Sequence, residues 1–369
     1  IAFAASTSYS AHLSGEFWPA LAVNTHWLLI PLAVALIAEV VRKHPEAIDL
    51  FRIACAASIL YYFAKMYMES ENYIFWRFVP VFGSIRHLGM SIGFFLVFLY
   101  WKTDESASAS TFFRIVRVAA LTLVFWSGSR ASMLAWFVCA LTIAFGERSL
   151  IKALAIDTVI AILAAASLPP PYGNLGLFSA VFERSASATS LDGLSASRIT
   201  LWQSTLAHLI NNDLFWWGNG GNGYVRIQTL GGAKLLPPGH VHPHNFVIQA
   251  LCEWGAVGLL IFVAGGTAWV HRNRIGECIR SVPVAVAGVA QITVTGMLDA
   301  TLYHMEHLIY LIIVLAICAS TTTSDRPENN SRTIRIPAVI VAALLIALLI
   351  PHALSLDYRI GLPWYFRTS

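Results

Sequence analysis

Three arginines lie where the chain borders an apolar run or crosses a long polar segment. Arg86 precedes an apolar run, Arg130 lies in the short turn 127–132 between two such runs, and Arg198 lies in the polar segment. A guanidinium group binds phosphate through forked, charge-assisted hydrogen bonds, so several converging arginines would form a site for a diphosphate. The alternative for any one of them is that it extends to the phosphates of membrane lipids.

One histidine also occupies a position suited to chemistry. His244 directly precedes an apolar run, where an imidazole could accept a proton near neutral pH, or could simply begin a helix. His240, His242 and His244 alternate, a spacing that in a strand could bind Zn²⁺. Pro243 interrupts this pattern and no neighbouring cysteine or carboxylate completes it, so we predict no metal site and no cofactor.

Other polar residues in apolar surroundings have structural explanations. Glu253 lies inside an apolar run, where a carboxylate needs a partner, and we expect a neighbouring helix to supply one. Gly255 and Gly258 would allow close helix packing. Farther along the chain, four polar residues cluster around one predicted turn, where we expect water to solvate them: Asp299, His304, Glu306 and His307.

The elements that must position these residues are membrane helices. Of 369 residues, 57% are apolar and only 12% are charged, against about 25% in ordinary soluble domains, and the mean hydropathy is +0.65. The apolar runs are continuous rather than alternating, which excludes a barrel and predicts an all-α polytopic transmembrane bundle. The net charge of +4 is too small to indicate nucleic-acid binding, and the five scattered cysteines predict buried, unreactive thiols.

Ten apolar runs qualify as candidate spans, since about 20 residues cross the hydrocarbon core. They are 23–41, 53–68, 88–101, 115–129, 131–145, 150–168, 245–270, 282–299, 303–320 and 336–352. The chain begins with Ile1 rather than methionine, and we expect further spans upstream.

Lysine and arginine orient these spans. Of the 24 basic residues, 14 fall in the connections 42–52, 102–117, 146–152, 271–281 and 321–336. Only four fall in the long segment 169–244. Because basic residues concentrate in cytoplasmic loops, this segment is predicted to lie outside, as a large periplasmic loop with short helices. The predicted division is 1–168 for N-terminal spans, 169–244 for the loop and 245–369 for C-terminal spans.

The motifs in this order resemble the O-antigen ligase family and its polymerase and O-oligosaccharyltransferase relatives. His244-Asn245 is followed after nine residues by Gly255 and after two more by Gly258. Ser129-Arg130-Ala131 precedes the large loop, which contains Arg198 and Trp202 spaced as Arg-x-x-x-Trp, then the glycine-rich turn Phe215–Gly220. The motifs cover about 125–260, and the hydropathy extends the resemblance over nearly the whole chain.

The resemblance implies a membrane glycosyltransferase of the GT-C type in the bacterial inner membrane, with its site on the periplasmic side. It implies an undecaprenyl-diphosphate-linked glycan donor, a lipid A–core acceptor and inversion of the anomeric configuration without a metal. It assigns Arg130 and Arg198 to the diphosphate and His244 to the acceptor hydroxyl, with Asn245 as a neighbouring substrate contact. Arg86 is a further candidate by position alone.

Two alternatives remain open at this point. The same fold could transfer glycan to a growing polysaccharide, as a polymerase, or to a protein serine or threonine, as an oligosaccharyltransferase. A transporter or flippase would carry out no chemistry, but transporters usually place charges at the membrane midplane within repeated halves. In this chain the distinctive cations lie at the outer edge and no repeat is visible.

Overall fold

The protein is α-helical throughout the part of the chain that the structure describes, a computed structural model covering residues 2–15, 17–69, 85–101, 107–168, 198–221, 223–230, 242–272, 282–299, 302 and 305–322. Its α-helices, in chain order, are α1 Ala2–Leu13, α2 Phe17–Lys43, α3 Glu46–Glu69, α4 Ile85–Phe98, α5 Ala107–Trp126, α6 Arg130–Gly146, α7 Ile151–Ser167, α8 Arg198–Asn211, α9 Gly223–Leu230, α10 Phe246–Arg272, α11 Pro283–Asp299 and α12 Met305–Thr322. The prediction of an all-α polytopic protein is confirmed.

Four helical stretches within the described residues are long and apolar enough to cross a membrane: Glu46–Met68, Ala107–Trp126, Arg148–Ser167 and Phe246–His271. Four shorter apolar helices accompany them: Ile85–Phe98, Arg130–Gly146, Pro283–Asp299 and His307–Ser320. Large apolar side chains such as Phe145 and Leu163 point outward, as lipid contact requires. The protein is therefore a multi-pass membrane protein.

Helices occupy the predicted apolar runs up to 303–320, whereas the predicted run 336–352 lies outside the described residues. Within the predicted periplasmic loop, Arg198 begins α8, as the sequence indicated, and α9 follows. The division of the chain at 168 and 244 stays a prediction. Among the described residues, four cysteines are buried free thiols, as expected: Cys55, Cys139, Cys252 and Cys318. Cys278 lies outside the described residues.

The main core lies where α4 and α11 pack against α6 and against each other. Phe94, Phe98, Trp126 and Trp136 are fully buried in it. A second, aromatic cluster joins α1 and α2 to α10, with the Trp27 and Trp254 rings 5.2 Å apart. Beside these cores the start of α10 lies near the end of α11, which is where the candidate site lies.

Helix α10 breaks at Gly255, whose φ of 67° lies in the left-handed region that favours glycine. The turn after α8 fills the break: Ala256 N–H donates to the Phe215 carbonyl at 2.8 Å, and Asn219 N–H donates to the Cys252 carbonyl at 2.7 Å. A Cβ at position 255 would overlap the carbonyl of Trp216. Gly255 is thus more than the close-packing position that the sequence predicted, because it lets a loop bind the interrupted helix.

The buried Glu253 has one side-chain partner within its own helix, and the expectation of a partner on a neighbouring helix stays a prediction. Gln249 Nε2 donates to Glu253 Oε1 at 2.7 Å. Ser10 of α1 donates to the backbone carbonyl of Glu253 and accepts from Gly220 N–H at 2.9 Å. These bonds tie α1 to the break in α10, which supports a structural role for the Glu253 region.

Candidate active site

The start of α10 is held in an unusual backbone conformation. Asn245 caps the helix, since its Oδ1 accepts from Ile248 N–H at 3.1 Å, and its Nδ2 donates to the Met297 carbonyl at 2.9 Å. His244 just before it has a φ of 52°, which costs a non-glycine residue of the order of 1 kcal/mol or more. Because such strain persists only where surrounding contacts enforce it, the chain is bent here to direct the His244 ring toward the end of α11.

His244 forms a close pair with an aspartate from the distant helix α11. Its Nδ1 lies 2.5 Å from Asp299 Oδ1, and the Asp299 side chain is only 4% exposed. The His242 ring lies beside that of His244, with centroids 4.1 Å apart, and its Nδ1 accepts from the His244 backbone N–H at 3.3 Å. A carboxylate on Nδ1 keeps the proton there, so the lone pair of the neutral ring lies on Nε2.

Arg198, the first residue of α8, contacts the same aspartate. Its guanidinium donates to the Leu298 carbonyl and lies 3.9 Å from Asp299 Oδ2. The last carbonyls of a helix lack partners within that helix and carry partial negative charge, so a cation is favoured there. Arg198 and Asn245 between them satisfy two of these α11 carbonyls.

Trp202 binds the chain segment just before His244. Four residues after Arg198, it lies on the same face of α8, and its Nε1–H donates to the Pro243 carbonyl at 2.7 Å. The Arg-x-x-x-Trp spacing therefore lets one face of α8 hold both segments of the site. Arg198 reaches the end of α11 while Trp202 reaches the chain just before His244.

The other two predicted arginines lie within electrostatic range of Arg198. Burial lowers the pKa of Arg198 from its usual value, the charge of Asp299 opposes this, and the positive charges of Arg86 and Arg130 lower the pKa further. Arginine nevertheless stays protonated at neutral pH. Arg86 in the first turn of α4 and Arg130 at the start of α6 are both exposed. Because their charges act on Arg198, the three arginines make the surroundings of Arg198 positive.

Helix α4 packs closely on the turn before α6, next to Arg86 and Arg130 in the chain. A Cβ at Gly89 would overlap Ser127 Oγ and would lie 3.2 Å from Ser132 Oγ. Ser129 caps α6, accepting from Ser132 N–H at 3.3 Å. Arg86 lies one turn before Gly89 and Arg130 directly follows the cap, so both flank this contact in the chain.

His242, His244 and Asp299 also form a group whose possible metal-ligating atoms lie within 4.8 Å of one another. From sequence alone no carboxylate completed a histidine set, and that reasoning missed Asp299 because it lies 55 residues after His244. The guanidinium 3.9 Å from Asp299 competes with a metal cation for the same carboxylate. We therefore interpret Asp299 as the group that orients the His244 imidazole. His240, the third histidine of the predicted alternating set, lies outside the described residues.

The structure thus brings Arg198, His244 and Asn245 to one end of α11, with Arg86 and Arg130 nearby. The expectation that Asp299 and His307 are solvated is wrong, since both residues are buried. Helix packing removes them from water, and Asp299 gains His244 and Arg198 in exchange. Of the same predicted cluster, His304 and the Glu306 side chain lie outside what the structure describes.

Comparison with known proteins gives one family match. Residues 115–263 match the family model described as O-antigen ligase, a range that includes Arg130, Arg198 and His244. Neither the curated proteins nor the solved structures include a match. The match supports a glycosyltransferase-like enzyme of the ligase and polymerase type, and the family implies lipid-linked glycan and lipid substrates in a membrane.

Proposed function

We propose, since residues 115–263 match the family model described as O-antigen ligase, that the protein transfers glycan from undecaprenyl diphosphate to lipid A–core oligosaccharide. The site would face the periplasm of a bacterial inner membrane. The single observation that carries the proposal is the meeting of Arg198 and His244 at the buried carboxylate of Asp299. Transfer from a diphosphate donor needs a cation to stabilise the leaving diphosphate and a base to activate the acceptor hydroxyl. Arg198 and His244 would supply these two groups at one point.

The donor half of the reaction needs charge stabilisation more than it needs an acid. When the bond between the anomeric carbon and the diphosphate breaks, its electron pair leaves with the undecaprenyl diphosphate. Arg198, together with the charges of Arg86 and Arg130, would hold that group as its negative charge grows. Arg198 is already fixed by Leu298 and Asp299, so it needs little rearrangement during the reaction.

The acceptor half needs a base, because a sugar hydroxyl is a weak nucleophile. The Asp299 carboxylate on Nδ1 would leave His244 Nε2 to accept the hydroxyl proton, which typically contributes about 10² to 10⁴ in rate. The acceptor oxygen then bonds to the anomeric carbon as the diphosphate leaves from the opposite side. This single displacement inverts the anomeric configuration, and no metal takes part in it. Asn245 would contact substrate beside His244.

The proposal is tested by transfer assays on purified protein in lipid nanodiscs. Arg130→Ala, Arg198→Ala and His244→Ala should each abolish transfer of glycan from the undecaprenyl-diphosphate donor to lipid A–core. His208→Ala is the matched control, because His208 lies at the far end of α8 from Arg198, and it should stay active. Normal transfer by all three folded variants would overturn the proposal.

The choice of acceptor is tested in the same assay. Purified protein is supplied with one donor and, in turn, with lipid A–core, a second lipid-linked glycan or a serine-containing protein. Product on lipid A–core alone supports the ligase. Product only on the glycan or only on the protein would replace the ligase with the polymerase or the oligosaccharyltransferase. Accumulation of donor in vesicles without transfer would favour a transporter.

A further inference from the structure

A row of buried polar side chains runs along α11 toward the candidate active site. Gln291, Thr295 and Asp299 follow one another at four-residue intervals, so they lie on one side of the helix, and all three are buried. Gln291 lies two turns before Asp299, about 12 Å along the helix at about 1.5 Å per residue. Burying an amide costs free energy unless the amide is hydrogen-bonded, so the partners of Gln291 indicate its role.

The Gln291 amide binds two other helices. Its Nε2 donates to the Met90 carbonyl of α4 at 3.2 Å. Its Oε1 accepts from the Cys139 thiol of α6 at 3.3 Å, and the same thiol lies 3.1 Å from the Ala287 carbonyl, one turn earlier in α11. Because both ends of the amide are engaged, α11 cannot turn about its axis without losing both bonds.

Helix α4 leaves space for this amide. Gly93 faces Gln291, and the three atoms nearest to a Cβ built at position 93 all belong to the Gln291 amide, with Nε2 only 2.6 Å away. Gly93 lies one turn after Gly89, the glycine that packs on the serine turn before α6. The two glycines therefore let one face of α4 lie against both α6 and α11, as small residues do at membrane helix interfaces.

The three helices that Gln291 joins are helices that carry charged residues of the candidate site. Helix α4 carries Arg86 in its first turn, α6 begins with Arg130 and α11 ends with Asp299. The direction of the Asp299 carboxylate depends on the rotation of α11, because a rotation equal to one residue turns every side chain by about 100°. A polar side chain in an apolar helix interface fixes such a rotation, since other rotations leave its amide without partners.

We infer that Gln291 is a positioning residue for glycan transfer, whose amide fixes the rotation of α11 and so keeps the Asp299 carboxylate on Nδ1 of His244. This role rests on the proposed function, because it acts through the aspartate that would orient the base. Gln291 is not itself a catalytic residue, since it lies two turns away from that aspartate. Loss of the amide should therefore loosen the imidazole while the helices stay packed.

Gln291→Met tests this role, because methionine has a similar length and forms neither hydrogen bond. The Cys139 thiol can still donate to the Ala287 carbonyl, so the unfolding temperature in nanodiscs should change little. The kcat for transfer to lipid A–core should fall about five-fold, the equivalent of about 1 kcal/mol for one hydrogen bond. Thr293→Val is the matched control and should keep wild-type kcat, because Thr293 is exposed and donates within its own helix.

A second measurement reports on the imidazole without any transfer. Solid-state NMR of protein carrying isotope-labelled histidine, with His244→Ala to assign the signals, should show a His244 proton on Nδ1 bonded to Asp299 in the wild type. In Gln291→Met this resonance should shift toward its position in Asp299→Asn. If Gln291→Met does not fold, Gly93→Ala replaces it, because the new methyl group would displace the same amide.

Gly93→Ala also separates the amide from packing in general. It should lower kcat when Gln291 is present, and it should lower kcat no further in a Gln291→Ala background, where no amide remains to be displaced. Additive losses in the double variant would overturn the inference. So would a folded Gln291→Met protein with wild-type kcat and an unchanged His244 resonance. If the wild type transfers no glycan but the resonance still shifts in Gln291→Met, the proposed function fails while Gln291 still sets the imidazole.

Discussion

Changing Asp299 to asparagine should reduce transfer while leaving donor binding nearly intact. Asp299 Oδ1 lies 2.5 Å from His244 Nδ1 in a position almost closed to water, so the carboxylate determines which ring nitrogen carries the proton. An amide can instead donate to Nδ1, which moves the proton to Nε2 and removes the proposed base. A hydrogen bond to a charged group contributes about 1.5 to 3 kcal/mol. At about 1.4 kcal/mol per factor of ten, kcat should fall about 10- to 100-fold.

The assay is steady-state transfer from the undecaprenyl-diphosphate donor to lipid A–core, with KM for the donor and kcat measured separately. Asp299→Asn should change kcat far more than KM, because Arg198 keeps its bond to the Leu298 carbonyl while His244 loses its carboxylate partner. Asp213→Asn is the control, since Asp213 is an exposed aspartate at the end of α8 whose left-handed φ asparagine also tolerates. A folded Asp299→Asn protein with wild-type kcat would refute the reasoning.

Three further substitutions test the supporting structure. Gly255→Ala should lower the thermal unfolding temperature strongly, because Gly255 has a positive φ and a Cβ there would overlap the Trp216 carbonyl. Gly265→Ala is the control and should not lower the unfolding temperature, because the space around a Cβ at position 265 is open. Trp202→Phe removes the indole donor to the loop before α10 and should reduce kcat several-fold, in line with about 1 kcal/mol for one hydrogen bond. Trp202→His can still donate a hydrogen bond, so its kcat should fall less. Gly89→Ala should raise KM for the donor by pushing α4 away from the serine turn before α6, and an unchanged KM would contradict the proposed role of that contact.

The positions of the helices follow from composition, since long apolar runs in a membrane must satisfy their backbone groups internally. Helix α1 was not predicted, because Ala2–Leu13 is rich in alanine and serine and contains no apolar run. Its Ser6, Thr7 and Ser10 are buried, and the helix packs against α2 and α10. The break in α10 was missed for a related reason. Gly255 can be read in the sequence, but the loop that fills the break comes from about 40 residues earlier.

The arginines and the histidine of the candidate site were predicted from residue type and family resemblance. Asp299 was not predicted as a site residue, because the local sequence around a lone aspartate at a helix end does not show whether water or a histidine will contact it. Its partners, Arg198 and His244, lie 101 and 55 residues earlier in the chain, and only the packing of α8, α10 and α11 brings them together. Trp202 shows the intermediate case, since its spacing from Arg198 was visible while its acceptor was not.

The most direct test is a cryo-electron microscopy structure of the His244→Ala protein in nanodiscs with the undecaprenyl-diphosphate-linked glycan. Removing the proposed base should trap the intact donor. We expect its diphosphate within hydrogen-bond distance of Arg198 and near Arg86 and Arg130, with the anomeric carbon facing position 244. Density for the diphosphate away from Arg198, or a donor consumed by this variant at the wild-type rate, would contradict the account.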